Sequence, residues 1–344
     1  MITCAPDNSI ARVRIGDFEF PLGVYPIEPL QPAPGYRVDF EPADAPEAED
    51  DSGEEWEEWP DRYVYDIVIS AGRVQSLVRA LLTLMPGRIY PILDVLGQDA
   101  YREVDPYIAY HPVGLERLMD GVRRFGAFLF EDGLCGFGAI SEEPFYYVFV
   151  DEHKIVTVRA EASLKDRVER TLAAFDLGPL EEPIGVDSAA HEHRGVLTAP
   201  ESNPQLLTSE EVAERLIDAW RLTLNIDPDT NVDDQGRELG PTFWRCLVRS
   251  TPDTGADPLI GPRGGVYWEL LLVARNWREA EELSFDAIDS RDPAPSADGW
   301  PELVMLGADR VTAQQLEELT EGKLKAPSLP RAGRRIISVR RLEQ

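Results

Sequence analysis

Phe145-Tyr146-Tyr147-Val148-Phe149-Val150, then Asp151-Glu152-His153, then Lys154-Ile155-Val156-Thr157-Val158-Arg159-Ala160, is the stretch on which the fold turns. Two β-rich runs of alternating character flank a short polar segment, the pattern of an antiparallel hairpin. Ahead of it, Ala127 to Phe130, Glu131-Asp132-Gly133 and Leu134 to Ile140 read as another hairpin, with Gly133 in the turn.

Working outward, Tyr63 to Ile69 and Arg88 to Leu96 read as further strands. Between them Val74, Leu77, Val78, Leu81 and Leu82 fall on one helical face, with Ser70 as N-cap and Pro86-Gly87 as the stop. Helices are also expected at Val113 to Arg124 and Ser163 to Phe175. Residues 63–178 are therefore read as one α+β domain. Residues 179–207, rich in Pro, Glu, Ser and Ala, read as a linker. Residues 208–322 read as a second α+β domain, with a helix from Ser209 to about Leu224. Its strands are expected at Phe243–Val248, Val266–Ala274 and Leu303–Leu306, and a short helix at Thr312–Thr320. The expected fold is thus two α+β domains, each a mostly antiparallel sheet with helices on one face, joined by a Pro-rich linker.

The ends carry opposite charge. Residues 1–62 open with a hairpin pattern and pass into an acidic strip, with twelve acids and no base between Asp39 and Asp61. Self-repulsion and sparse apolar surface predict a disordered centre for this strip. Trp56 and Trp59, among Glu54, Glu55, Glu57 and Glu58, stand out as aromatic anchors for a basic protein partner. Residues 323–344 read as a basic tail. The whole chain has 344 residues and a net charge of -29, which disfavours direct contact with nucleic acid. No apolar run is long enough to span a membrane. Three well-separated cysteines, Cys4, Cys135 and Cys246, argue against a disulfide framework and fit a reducing, cytoplasmic setting.

Four segments bear on chemistry. Asp227, Asp229, Asn231 and Asp233 alternate, and Glu238 stands twelfth from Asp227, where a bidentate ligand would close a calcium site. Over these twelve residues the chain resembles the calcium loop of the EF-hand family. That resemblance implies a bound calcium ion. It departs from the pattern at Val232, where the family has glycine, at Asp234, and in the strand that replaces the exiting helix, so the family's paired-hand mechanism is not implied. His191-Glu192-His193 can present both imidazoles to one metal only on an extended backbone, and nothing nearby in sequence supplies a third ligand. The plainer reading is two solvated histidines. His153 beside Asp151 could act as a base, but no nucleophile motif accompanies it; turn polarity is the simpler reading. Neither glycine cluster, Gly133 to Gly138 nor Gly261 to Gly265, has the lysine or the strand–helix context of a phosphate loop. Composition and charge together favour a non-catalytic protein that binds a basic partner. A metal-dependent hydrolase using the Asp227–Glu238 loop or His191 and His193 is the alternative.

Overall fold

A computed structural model describes residues 3–43, 59–198, 205–251, 257–260, 265–291, 302–322 and 335–342. The chain is mixed α+β, with antiparallel sheets and seven α-helices among the described residues. It divides into two compact units, residues 1–95 with 106–224, and residues 96–105 with 225–344.

The first unit holds strands β1 (Arg14–Ile15), β2 (Phe18–Glu19), β3 (Val24–Pro26), β4 (Gly35–Glu41) and β5 (Arg62–Val68), then helix α1 (Ala71–Leu82). Strands β6 (Arg88–Leu96), β7 (Val104–Ile108) and β8 (Val113–Gly114) follow, then helices α2 (Leu115–Arg124) and α3 (Gly126–Glu131). The unit continues with β9 (Cys135–Ser141), β10 (Tyr146–Val150), β11 (Val156–Glu161), α4 (Lys165–Ala174), β12 (His191–His193), α5 (Ser209–Trp220) and β13 (Thr223–Leu224). The main sheet runs β13-β7-β6-β9-β10-β11-β5-β4, with β8 against β6.

The expected β10–β11 hairpin forms, with Val148 opposite Val158. Because side chains alternate across a strand, register places Val148, Ala139, Val158 and Tyr65 in one row on one face, and all four are fully buried. Tyr146 on that face donates to the carbonyl of Leu81 in α1 at 3.4 Å. Helices cover this face in the spatial order α4, α1, α3, α2, α5.

Several expectations change. Residues 127–130 are helical, not a strand: Phe128, Leu129 and Phe130 are consecutive and all buried, which a half-covered strand does not permit. Ser70 does not cap α1; its hydroxyl instead accepts from the Glu19 amide at 3.0 Å and holds β2. Residues 179–198 are no free linker. Leu180 donates to Tyr36, Ile184 and Ala33 exchange two bonds, and β12 pairs with β3. Val186 and Val196, both nearly fully buried, supply enough apolar anchorage for a segment poor in large side chains. Helix α5 belongs to the first unit, where Leu216 and Trp220 close on Gly121 of α2. The division therefore falls at 224/225, not at 207/208. The acidic strip from 44 to 58 lies outside the described residues.

The second unit contains β14 (Thr242–Thr251), β15 (Val266–Ala274), α6 (Trp277–Asp289), β16 (Glu302–Val311), α7 (Ala313–Leu319) and β17 (Arg335–Leu342). The sheet order is β16-β14-β15-β17, antiparallel throughout. Trp244, Cys246, Val248, Leu270 and Leu272 pack under α6, while Phe243, Val273 and Leu316 form a smaller core. The end of the basic segment is thus not a tail: residues 335–342 pair with β15, and Arg340 binds Glu269 at 2.6 Å. Within this unit Arg310 and Asp99 form a buried two-oxygen pair, with Arg310 also donating to Asn231.

Candidate metal centre

The β10–β11 turn is closed by its own side chain. Asp151 accepts the Ile155 amide through one carboxylate oxygen at 2.8 Å and faces Nδ1 of His153 with the other at 3.3 Å. The turn needs a left-handed residue, and Lys154 takes it at φ +66°. Lys154 is 4% exposed, and its ammonium group donates to the Cys135 carbonyl at 2.5 Å, fastening the turn to β9.

The second half of the centre comes from β12. Its three residues pair with β3, His191 opposite Pro26 and His193 opposite Val24. The backbone is extended as two metal ligands one residue apart require, so both imidazoles leave the same face. They meet His153. The three rings stand edge to face with centroids 4.8, 4.9 and 5.0 Å apart, and their ligand atoms all lie within 4.8 Å of one another.

Hydrogen bonds fix how those rings point. Nδ1 of His191 is 2.7 Å from the Ala189 carbonyl, and Nδ1 of His193 is 2.8 Å from the Gly133 carbonyl. Each partner, like the Asp151 carboxylate, can only accept, so each Nδ1 carries the proton and each Nε2 presents a lone pair. Nε2 of His153 and Nε2 of His191 are 3.0 Å apart. Two lone pairs at that distance repel, and either a proton held between them or a bound cation removes the conflict. Ligands at 2.0–2.1 Å around a tetrahedral zinc are themselves about 3.4 Å apart, so small ring movements would complete the site.

Electrostatics set a proton in competition with a metal at His153. Burial opposes a charged His153, but the bond to Asp151 and the charges of Asp151, Glu152 and Asp187 outweigh it and hold its pKa above the ordinary value. Burial, with the two neighbouring imidazoles, pulls His193 below it. The site is built on close backbone approach. A Cβ on Gly133 would lie 2.1 Å from the Gly23 carbonyl oxygen, so only glycine lets the 131–134 turn reach β3 and aim its carbonyl at His193. Buried Asp132 anchors the same turn, accepting the amides of Leu134 and Val196 at 2.9 Å.

Sequence reading found His191 and His193 but took them as solvated; instead they converge with His153. The missing signal was the pairing of β12 with β3, a contact between residues far apart in the chain. The one local clue was Asp151 beside His153, the carboxylate–histidine arrangement of many metal ligands.

The Asp227–Glu238 loop is disposed differently. Asp229 makes a two-oxygen pair with Arg278 at 2.6 and 2.9 Å, and Asp233 binds Arg237 together with two backbone amides. Asn231 is buried and bonds Gly240, Thr242 and Arg310, while Asp227 accepts the Asp229 amide. Glu238 bridges Val232 through the backbone. Among the described residues, the groups of three or more clustered ligand side chains are His153 with His191 and His193, and Asp151 with Glu152 and His153. Of the expected protein-binding residues, Trp56, Glu54, Glu55, Glu57 and Glu58 lie outside the described residues. Trp59 packs its ring on Phe145 at 4.9 Å with Arg62 over it. All three cysteines are buried free thiols, and no helix among the described residues is long and apolar enough to cross a membrane.

No known family model matches the chain, no curated protein matches it in sequence, and no solved structure matches its fold.

Proposed function

We propose that this chain is a metal-dependent hydrolase whose ion, best matched by zinc, is held by His153, His191 and His193. The observation that carries the reading is the convergence of the rings: an acceptor-only partner lies at each Nδ1, and one ligand atom from each ring lies within 4.8 Å of the other two. Among the described residues no fourth side chain joins that trio within ligating distance, which favours the open coordination of catalytic zinc over the closed shell of structural zinc. A zinc ion there would supply a bound water of pKa about 7. Glu152, with a carboxylate oxygen 3.6 Å from Nδ1 of His153, lies on the outer edge of that ring and adds negative charge beside it. Asp151 keeps the His153 ring turned for binding. The protein-binding reading has less support, since Trp59, one of its two anchors, is engaged with Phe145 and Arg62.

The test is hydrolysis of p-nitrophenyl acetate by metal-free and zinc-loaded protein. The expected result is a zinc-dependent rate with a basic limb, lost in His153→Ala. Stoichiometric zinc binding without any rate above free zinc would overturn the hydrolase reading.

A further inference from the structure

A small cavity of about 20 Å3 borders the histidine centre, between β2, the end of β5, the start of α1 and the β10–β11 turn. Phe18, Phe20, Val68, Ala71, Ile155 and Val186 make its wall apolar, and His153 of the histidine trio is part of that wall. Lys154 is the other polar side chain lining it, but its ammonium group is engaged at the Cys135 carbonyl. The wall is also stiff. Phe20 and Val186 are 1% and 3% exposed and belong to one packed cluster with Val24, against which Phe18 also packs. Close-packed walls do not widen without cost, so the size of the cavity selects what enters.

The volume holds one water-sized group. A water there would want several polar partners, and the lining side chains leave it only His153. A methyl group needs no partner and gains from leaving water. A pocket of methyl size with a metal-binding imidazole in its wall therefore fits the end of an acetyl group.

We propose that the substrate of the histidine centre carries an acetyl group, its methyl seated against Phe20, Ala71 and Val186 and its carbonyl toward the histidines. This deepens the hydrolase reading and rests on it. Longer acyl chains find no room, and the selection is made by the apolar wall, not by the metal.

The test reads binding rather than turnover. Acetohydroxamate and butyrohydroxamate carry the same zinc-chelating head on chains that differ by two methylenes, and each is titrated calorimetrically into the zinc-loaded chain. On an open apolar surface each added methylene tightens binding roughly fourfold, so the longer compound would bind better. The closed cavity predicts the opposite order, with acetohydroxamate at least about fivefold tighter. Val186→Ala, which takes two methyl groups from the wall, should cancel that preference while the zinc stoichiometry is unchanged. If Val186→Ala fails to fold, Ile155→Val at a half-buried position of the wall serves instead. The head group binds zinc whether or not an ester is cleaved, so the two readings fail separately. Absent turnover with the predicted order intact would remove the hydrolase reading and leave a metal site selective for acetyl groups. Equal affinities, tighter butyrohydroxamate, no binding of either compound by the zinc-loaded chain, or a preference indifferent to the wall substitution would overturn the proposal.

Discussion

Lys154 shows how a single side chain positions a centre it does not enter. It is adjacent to His153, it adopts the left-handed conformation the turn requires, and its buried ammonium reaches the Cys135 carbonyl. Two residues back from Cys135, the Gly133 carbonyl holds His193. One short segment, 132–135, thus carries anchors for both halves of the histidine trio. Lys154→Met keeps the length of the side chain and removes the anchor; zinc affinity is expected to fall about 10–100-fold, the range seen when partners of metal ligands are lost. Competition with a chromophoric chelator measures it. Asp94, on the sheet face away from the helices, gives a different prediction. Burial, aided by the Glu152 charge, raises its pKa to about 6. A carboxyl raised by folding costs stability once ionised: the cost is full above pH 6 and vanishes below about 4, where the unfolded chain is also protonated. Asp94→Asn should therefore stabilise the metal-free protein at pH 8, by about 1–2 kcal/mol once partial exposure is allowed for, and leave it unchanged at pH 4. Melting curves at the two pH values decide this.

Among the elements, those with strong periodicity were legible. The helix ending at Leu82, the strands Arg62–Val68 and Arg88–Leu96, and the β10–β11 hairpin lie where spacing puts them. Failures have physical causes. Helix α3 is six residues long and apolar on consecutive positions, so no period distinguishes it from a strand. Helix α6 packs Trp277, Ala280, Leu283, Ala287 and Ile288 on the core, but its buried positions also include Ser284 and Glu279, which interrupt the apolar pattern. Spacing assigns no element to residues 97–105, yet this short segment supplies Asp99 to Arg310 of the second unit. Asp99→Asn leaves the Arg310 charge buried with reduced compensation, and a loss of about 3–5 kcal/mol in urea unfolding of that unit is expected. A loss under about 1 kcal/mol would mean that Asn231 and the Val232 carbonyl suffice to hold the guanidinium.

At the scale of the whole molecule, composition identified a mixed α+β chain but placed its division wrongly. Proline and polar residues between 179 and 207 resemble a linker, whereas the described residues 179–198 bond to β3, β4 and neighbouring loops. The histidine centre was half legible for the same reason: His191 and His193 are neighbours in sequence, but His153 joins them only through strand pairing 38 residues away. Local spacing cannot reveal a ligand brought in by tertiary structure. The central claim, that these three imidazoles make one metal site, is tested most directly by titrating the metal-free chain with zinc in a calorimeter. One equivalent is predicted to bind, and His153→Ala, His191→Ala and His193→Ala should each abolish or severely weaken that binding while the fold persists by circular dichroism. Absence of binding, or an equivalent of zinc that survives all three substitutions, would contradict it.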